Sequence, residues 1–295
     1  MHISNNSAST ARSCWKKFYW RYNQKLTPIK QSSILALGSV VHEALDMNNK
    51  GFSSKAVIEY ITKTYNDVIQ GSSLSDEEDL VVARYTALGM FTHFPYKDIS
   101  QFESLQSEKN IDVTLSRKCK FQGRVDSLVK KNGLWWVREL KTTGQNIRQF
   151  TQRANVSAQG TGYVWALRKM GYDVKGILYE YIKRPQLRKR MTENQDQFGC
   201  RIMEDYRIRP DNYYDQIYSY RNDFELKQWE KDMKSLVSTI RLKNRNGKYD
   251  RNTNACYNYN SECVYKKICF EPTPDPLVLQ LYFRRDGQEI KGGAE

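Results

Sequence analysis

Two alternating runs that meet at an Asn-Gly dipeptide constrain this chain more than any other feature. "KCKFQGRVDSLVKK" (118–131) leads into Asn132-Gly133, and "LWWVRELKTTG" (134–144) leads out of it. Strand side chains alternate between faces, and Asn-Gly between two such runs is a strong signal for a two-residue type I′ hairpin. That turn fixes the register, because Lys131 then pairs with Leu134 and every further pair follows. Asp126 falls directly opposite Glu139, while Trp135, Val137, Glu139 and Lys141 share one face.

Directly opposed side chains have Cβ atoms about 5 Å apart, so two carboxylates at that spacing repel each other. A divalent cation removes the conflict, since Mg²⁺ is held by one or two carboxylates together with water and phosphate oxygens. Lys141 lies one pleat further on, where it can reach a phosphate or orient an attacking water. The competing reading is an exposed Glu139–Lys141 ion pair with Asp126 solvated. A one-residue change of register would also carry Asp126 to the other face.

The charge balance agrees with a phosphate-bearing partner. Lys and Arg number 47 against 33 acids, a formal net charge of +14, with 20 Tyr and 6 Trp. Such a balance favours nucleic acid over a small neutral substrate, the alternative being charge that serves solubility alone. The basic aromatic stretch with Arg12, Trp15, Lys16, Lys17, Tyr19, Arg21 and Tyr22, and the run "KRPQLRKR" (183–190), are either solvated faces or tracks for a phosphate backbone with rings for base stacking. No apolar run approaches the ~20 residues that span a bilayer, and no signal peptide is visible. The expectation is a soluble cytoplasmic protein, in the host cytoplasm if the chain is viral.

Periodicity predicts a capped helix over 9–26 ending before Pro28, a second over 35–51, and two more near 54–69 and 76–94. Strands follow at 109–115, 118–131 and 133–141, then a helix over 152–170 and a strand over 174–184. A long helix is expected to fill much of 211–243. The last 40 residues, with three cysteines and "EPTPDP", read as having little regular structure.

The motifs together resemble a known family. "GRVD" followed by "RELK" resembles the PD-(D/E)XK nuclease signature, here Asp126, Glu139 and Lys141. "GSVVH" (Gly38 to His42) is similar to the G-x-x-x-H motif of its RecB-like branch, and "QGTGY" (Gln159 to Tyr163) to that branch's Q-x-x-x-Y motif. Cys14 with Cys256, Cys263 and Cys269 resembles the four-cysteine iron–sulfur enclosure of CRISPR-associated RecB-like exonucleases and AddB-type nuclease domains. Two departures stand out: the spacing is C-x6-C-x5-C where C-x2-C-x5-C is usual, and Trp15 stands where a proline often follows the first cysteine.

The resemblance implies an α/β fold, a restriction-endonuclease-like core with a mixed sheet flanked by helices. Within a single nuclease domain over 1–295, it implies a mainly helical N-terminal part (1–106) and a catalytic core (107–185). A helical region (186–245) and a cysteine-containing C-terminal segment (246–295) follow. One or two Mg²⁺ or Mn²⁺ ions would be held by His42, Asp126, Glu139 and the backbone carbonyl of Leu140. Lys141 and Gln159 would position water or phosphate, Tyr163 would pack beside the nucleic-acid strand, and Glu108 is a further acid near the site. The four cysteines would hold a [4Fe–4S] cluster. Zinc is the alternative, although structural zinc typically uses C-x2–4-C pairs and none occurs here. Cys119 and Cys200, in strand-like contexts, read as inert small apolar residues.

The implied activity is metal-dependent hydrolysis of DNA, by an exonuclease on single-stranded ends, in recombination, repair or viral genome processing. No G-x-x-x-x-G-K-[ST] loop is present, so a helicase or recombination partner would be a separate chain. The reading from another class is a non-catalytic nucleic-acid-binding iron–sulfur or zinc module within a larger complex.

Overall fold

Asn132 and Gly133 both adopt the left-handed backbone that a type I′ turn requires, with φ of 54° and 74°. The hairpin register therefore comes out as the dipeptide dictates, from Lys131 opposite Leu134 to Ser127 opposite Arg138. The computed structural model describes residues 1–29, 33–70, 74–258, 261–271 and 273–285.

The chain begins with β1 (His2–Ile3), α1 (Asn5–Ser13), α2 (Trp15–Phe18), β2 (Leu26–Pro28), α3 (Ser33–Asn49), α4 (Ser54–Ile69) and α5 (Leu74–Thr92). The central stretch holds β3 (Ser104–Ser116), β4 (Cys119–Lys131), β5 (Leu134–Thr143), α6 (Ile147–Asn155), α7 (Ala158–Lys169) and β6 (Val174–Lys183). Then come α8 (Gln195–Ile208), β7 (Tyr214–Tyr220) and α9 (Asp223–Asn246). Short elements close the described chain: β8 (Tyr257–Asn258), β9 (Ser261–Glu262), α10 (Lys266–Cys269), α11 (Pro276–Tyr282) and β10 (Phe283–Arg285).

These elements gather into two compact units, one of Met1–Gln31, Thr114–Gln122 and Glu230–Glu295, the other of Ser32–Val113 and Gly123–Trp229. In the larger unit β3 pairs with β4, β4 with β5, β5 with β6 and β6 with β7. The β5–β6 pair is parallel, while β4–β5 and β6–β7 are antiparallel, so the sheet is mixed. One sheet face packs on a core that includes Val41, Leu45, Ile61, Phe91, Tyr206, Leu140 and Ile182, drawn from α3, α4, α5, α8 and two strands. On the other face Phe150 of α6 meets Tyr179 and Tyr181 of β6, with ring centroids 5.7 and 5.2 Å apart. Trp165 of α7 packs on Trp229 at 5.1 Å. Helices thus cover both faces of this sheet, as the α/β reading expects.

In the smaller unit β1 pairs parallel with the start of β4, and β10 pairs antiparallel with β2, Phe283 opposite Pro28. Phe283 stacks on Tyr265, which joins Trp20, Leu26 and Ile268 in a second core. Among the described residues no helix is long and apolar enough to cross a membrane.

Four expectations need correction. The N-terminal helix is broken at Cys14, whose φ of −162° and ψ of 120° are extended, and restarts where the Lys16 N–H donates to the Asp250 carbonyl at 3.0 Å. The expected 152–170 helix is two helices, because Ser157 turns extended and caps α7 by accepting from the Gly160 N–H at 3.2 Å. The expected long helix over 211–243 begins as the edge strand β7, so the segment expected to be helical contributes a strand to the sheet. The C-terminal segment has more regular structure than expected, in α10, α11 and β10. The tail beyond Arg285, and Pro272 in "EPTPDP", lie outside the described residues.

Candidate functional site

Strand alternation and the parallel register aim Glu139 and Lys141 of β5, beside Tyr179 and Tyr181 of β6, toward α7. Glu139 is only 4% exposed. Lys141 Nζ donates to Glu139 Oε1 at 2.7 Å, so the ion pair of the competing reading exists, but around a buried carboxylate. From α7, Gln159 Nε2 donates to the same Glu139 oxygen at 3.2 Å and to the Tyr163 hydroxyl at 3.1 Å. Lys141 Nζ is also 3.4 Å from Gln159 Oε1. The i, i+4 spacing of Gln159 and Tyr163 places both on the helix face that meets the strand.

Asp126 lies just past the last ladder pair of the hairpin. Its Oδ2 accepts from the Leu140 N–H at 2.9 Å and lies 3.5 Å from His42 Nδ1 of α3. Burial works against the charge on Asp126, but His42, the Leu140 N–H and Lys141 outweigh it and hold the carboxyl below its ordinary range. Glu139 is pushed the other way: burial raises it, Asp126 adds to the rise, and Lys141 and His42 offset only part. Burial lowers Lys141, yet Glu139 and Asp126 leave it raised and charged. Tyr163 is raised by burial and then by Glu139. Neighbouring carboxylates whose surroundings push them in opposite directions are an arrangement that reaction centres use.

Glu108 stands apart from this group. It takes Arg124 at 2.9 Å and Lys50 at 3.7 Å, at a position with φ of 49°.

The model of the PD-(D/E)XK nuclease superfamily matches residues 2–270. This chain belongs to the PD-(D/E)XK nuclease superfamily. A solved structure from Eubacterium rectale, named only provisionally as an exonuclease, is similar in fold, with a TM-score of 0.50 and 15% identity. That alignment covers 85% of this chain and 84% of the other. No curated protein matches. The mixed sheet with helices on both faces is consistent with the restriction-endonuclease-like fold of the superfamily.

Nucleases of this superfamily typically use Mg²⁺ or Mn²⁺. Among the described residues no three His, Cys, Asp or Glu side chains are grouped as ligands; Lys141 engages Glu139, and His42 faces Asp126. The donors nonetheless fit such an ion in kind: two carboxylates and an imidazole. Glu139 Oε2 is buried without a hydrogen-bond partner, a state that calls for a cation or a proton.

The cysteines divide. Cys14, Cys256, Cys263 and Cys269 all belong to the smaller unit. Asn252 connects two of them: its N–H donates to Cys14 Sγ at 3.4 Å, and its carbonyl lies 3.9 Å from Cys256 Sγ. The Cys263 N–H donates to the Cys256 carbonyl at 2.8 Å. The four thiols do not close into a ligand group among the described residues, so the expected iron–sulfur enclosure is not formed in this structure. Cys119 is buried in β4, as expected of an inert residue. Cys200 is not in a strand: it is exposed on α8.

Sequence reasoning did not single out Tyr179 and Asn252. Tyr179 is paired with Glu139 across the parallel strands, a register that no local signal sets. Its hydroxyl also fits beneath Gly160, where a Cβ would come within 2.6 Å of it and 2.9 Å of Ile177 Cδ1. Gly160→Ala is therefore expected to cost about 1–3 kcal/mol of stability and to displace the neighbouring Gln159. Melting and cleavage measured on one preparation check this; wild-type values for both would remove the close-approach argument.

Proposed function

We propose that this chain is a metal-dependent deoxyribonuclease that hydrolyses phosphodiester bonds at single-stranded DNA ends. One observation carries the reading: a buried Glu139, one oxygen on Lys141 and the other without a partner, beside a second carboxylate, Asp126. His42, Asp126, Glu139 and the Leu140 carbonyl would hold Mg²⁺ or Mn²⁺, which when bound supplies phosphate coordination and a more acidic water. Lys141 holds a positive charge where negative charge develops during hydrolysis. Gln159 orients Lys141 and Glu139 through its amide, and Tyr163 fixes Gln159. A non-catalytic binding module has no need of a carboxylate buried at such cost.

The test incubates the protein with single-stranded DNA labelled separately at its 5′ and 3′ ends, in Mn²⁺, Mg²⁺ or EDTA. Metal-dependent loss of one label before the other supports an exonuclease and gives its polarity. DNA bound under every condition with no product would leave only the binding module. A helicase or recombination protein is the expected partner.

A second element, a [4Fe–4S] cluster on Cys14, Cys256, Cys263 and Cys269 with zinc as the alternative, rests on the motif resemblance alone; Asn252 brings only Cys14 and Cys256 to a common residue. Iron and sulfide in the same preparation, purified without oxygen, would support the cluster; one zinc per chain without iron would replace it.

A further inference from the structure

The segment between β6 and α8 is a basic arm. Lys183, Arg184, Arg188, Lys189 and Arg190 follow one another with no acid before Glu193. It leaves the C-terminal end of β6, which in the parallel β5–β6 pair is also the end of β5 that carries Lys141. Two bonds hold the arm to the residues just after Lys141. The Arg184 N–H donates to the Thr143 carbonyl at 2.7 Å, and Gln186 Nε2 donates to the Gly144 carbonyl at 3.2 Å. Leu187 is partly buried against the helical core, whereas Arg188, Lys189 and Arg190 are exposed.

The tip is a built turn. The Glu193 N–H donates to the Arg190 carbonyl at 3.2 Å, and the Arg190 N–H donates to Glu193 Oε2 at 2.9 Å. The Glu193 carboxylate is itself held by Arg201 at 2.6 and 2.8 Å, and Arg201 also donates to the Arg188 carbonyl at 2.9 Å. The one acid of the arm is thus spent on its own scaffold. At the crest of this turn Met191 is fully exposed, at 105%. A single exposed apolar residue is ordinary on a surface. A methionine on the crest of a pinned turn, directly after three outward cations and at the reactive edge of the sheet, is a different arrangement.

The geometry points to the arm as a nucleic-acid clamp: Arg188, Lys189 and Arg190 bind successive phosphates of the strand at the candidate site, and Met191 lies against a base beside them. This rests on the nuclease reading and adds the surface that grips the substrate. Phosphate contacts from Arg and Lys are independent of sequence and weaken with salt, while an apolar side chain adds contact with a base face that salt does not screen.

The two parts are separable by experiment. A fluorescein-labelled single-stranded oligonucleotide is titrated in EDTA over a range of salt with wild type, with the triple variant R188A/K189A/R190A and with Met191→Ala. Cleavage in Mn²⁺ is followed in parallel. Three lost phosphate contacts reduce the slope of log K against log salt by about 2, near 0.7 for each contact on a single strand. Met191→Ala keeps the slope and weakens binding roughly fourfold, the worth of about one buried methylene. Unchanged affinity and slope in the triple variant overturn the clamp, and wild-type cleavage alongside that result leaves the nuclease reading standing. A wild-type protein that neither binds nor cleaves the oligonucleotide overturns both.

Discussion

Lys141→Ala is expected to lower the cleavage proposed for this chain by about 10³-fold, the upper end of what one preorganised electrostatic group supplies in a reaction centre. The same variant has a stability signature that a merely exposed lysine would lack. Lys141 is the strongest influence holding down the Glu139 carboxyl, which burial and Asp126 already raise. Without it the folded-state value rises further. A carboxyl whose folded value lies above its unfolded one binds more protons folded than unfolded, so stability falls as pH climbs from the unfolded value through the folded one. The variant's deficit is therefore small in acid, where Glu139 is neutral in both proteins, and largest above the raised value. Near pH 7 it is about 2 kcal/mol, less than for a fully buried pair because Lys141 is about one-third exposed. Urea unfolding of variant and wild type at acid and neutral pH measures the difference. An equal deficit at both would show that Lys141 does not compensate Glu139.

Arg138→Met is expected to destabilise the protein by about 3–5 kcal/mol, since it leaves a buried carboxylate uncompensated. Arg138 Nη2 lies 2.7 Å from Glu180 Oε2 on the neighbouring strand, with side chains 5% and 2% exposed. Nη1 donates to Asn49 Oδ1 at 3.1 Å, Nη2 to the Tyr96 carbonyl at 3.2 Å, and Gln216 supplies Glu180 with another donor at 3.2 Å. Burial raises Glu180 even with Arg138 present. The pair lies on the opposite face of β5 from Glu139, one residue before it, and Arg138 belongs to the last hairpin pair before Asp126 and Glu139. Loosening it releases the strand at the point where the acids are aligned. The double variant Arg138→Met/Glu180→Leu recovers most of the stability, because an apolar pair carries no desolvation cost. If the double variant is as unstable as the single one, the loss is one of packing and hydrogen bonds to Asn49 and Tyr96.

The hairpin register as far as Ser127 opposite Arg138, which brings Asp126 and Glu139 to the same end of the pair, was legible because everything that sets it is local: an Asn-Gly turn, an alternating pattern and a count of residues. Gln159 and Tyr163 were legible for the same reason, as an i, i+4 pair on one helix. What escaped depends on partners distant in sequence. β1 is two residues long and exists only by pairing with Lys120 and Phe121. β7, "YDQIYSY", is an edge strand with a half-exposed, irregular pattern that merged with the helical pattern after it. The breaks at Cys14 and Ser157 come from a remote carbonyl and a local cap, neither of which interrupts apolar periodicity. Cys200 was misplaced because a small apolar residue fits a helix or a strand equally well.

The smaller unit is assembled from three separated stretches of chain, and this has a consequence for how the protein is made. On the ribosome, residues 32–229 emerge as nearly everything the larger unit needs. The first stretch can pair β1 with Lys120 and Phe121 early, but Cys14 must wait for the rest of its unit until residues from 230 onward are synthesised, an interval of roughly 10–40 s at ~5–20 residues per second. Through that interval Cys14 has none of Cys256, Cys263 or Cys269 beside it, and the Leu26–Pro28 strand lacks its Phe283–Arg285 neighbour. Anything that the four thiols hold together is therefore loaded late, and translation that stalls after residue 229 leaves Cys14 without its three counterparts although β1 already has its partner strand.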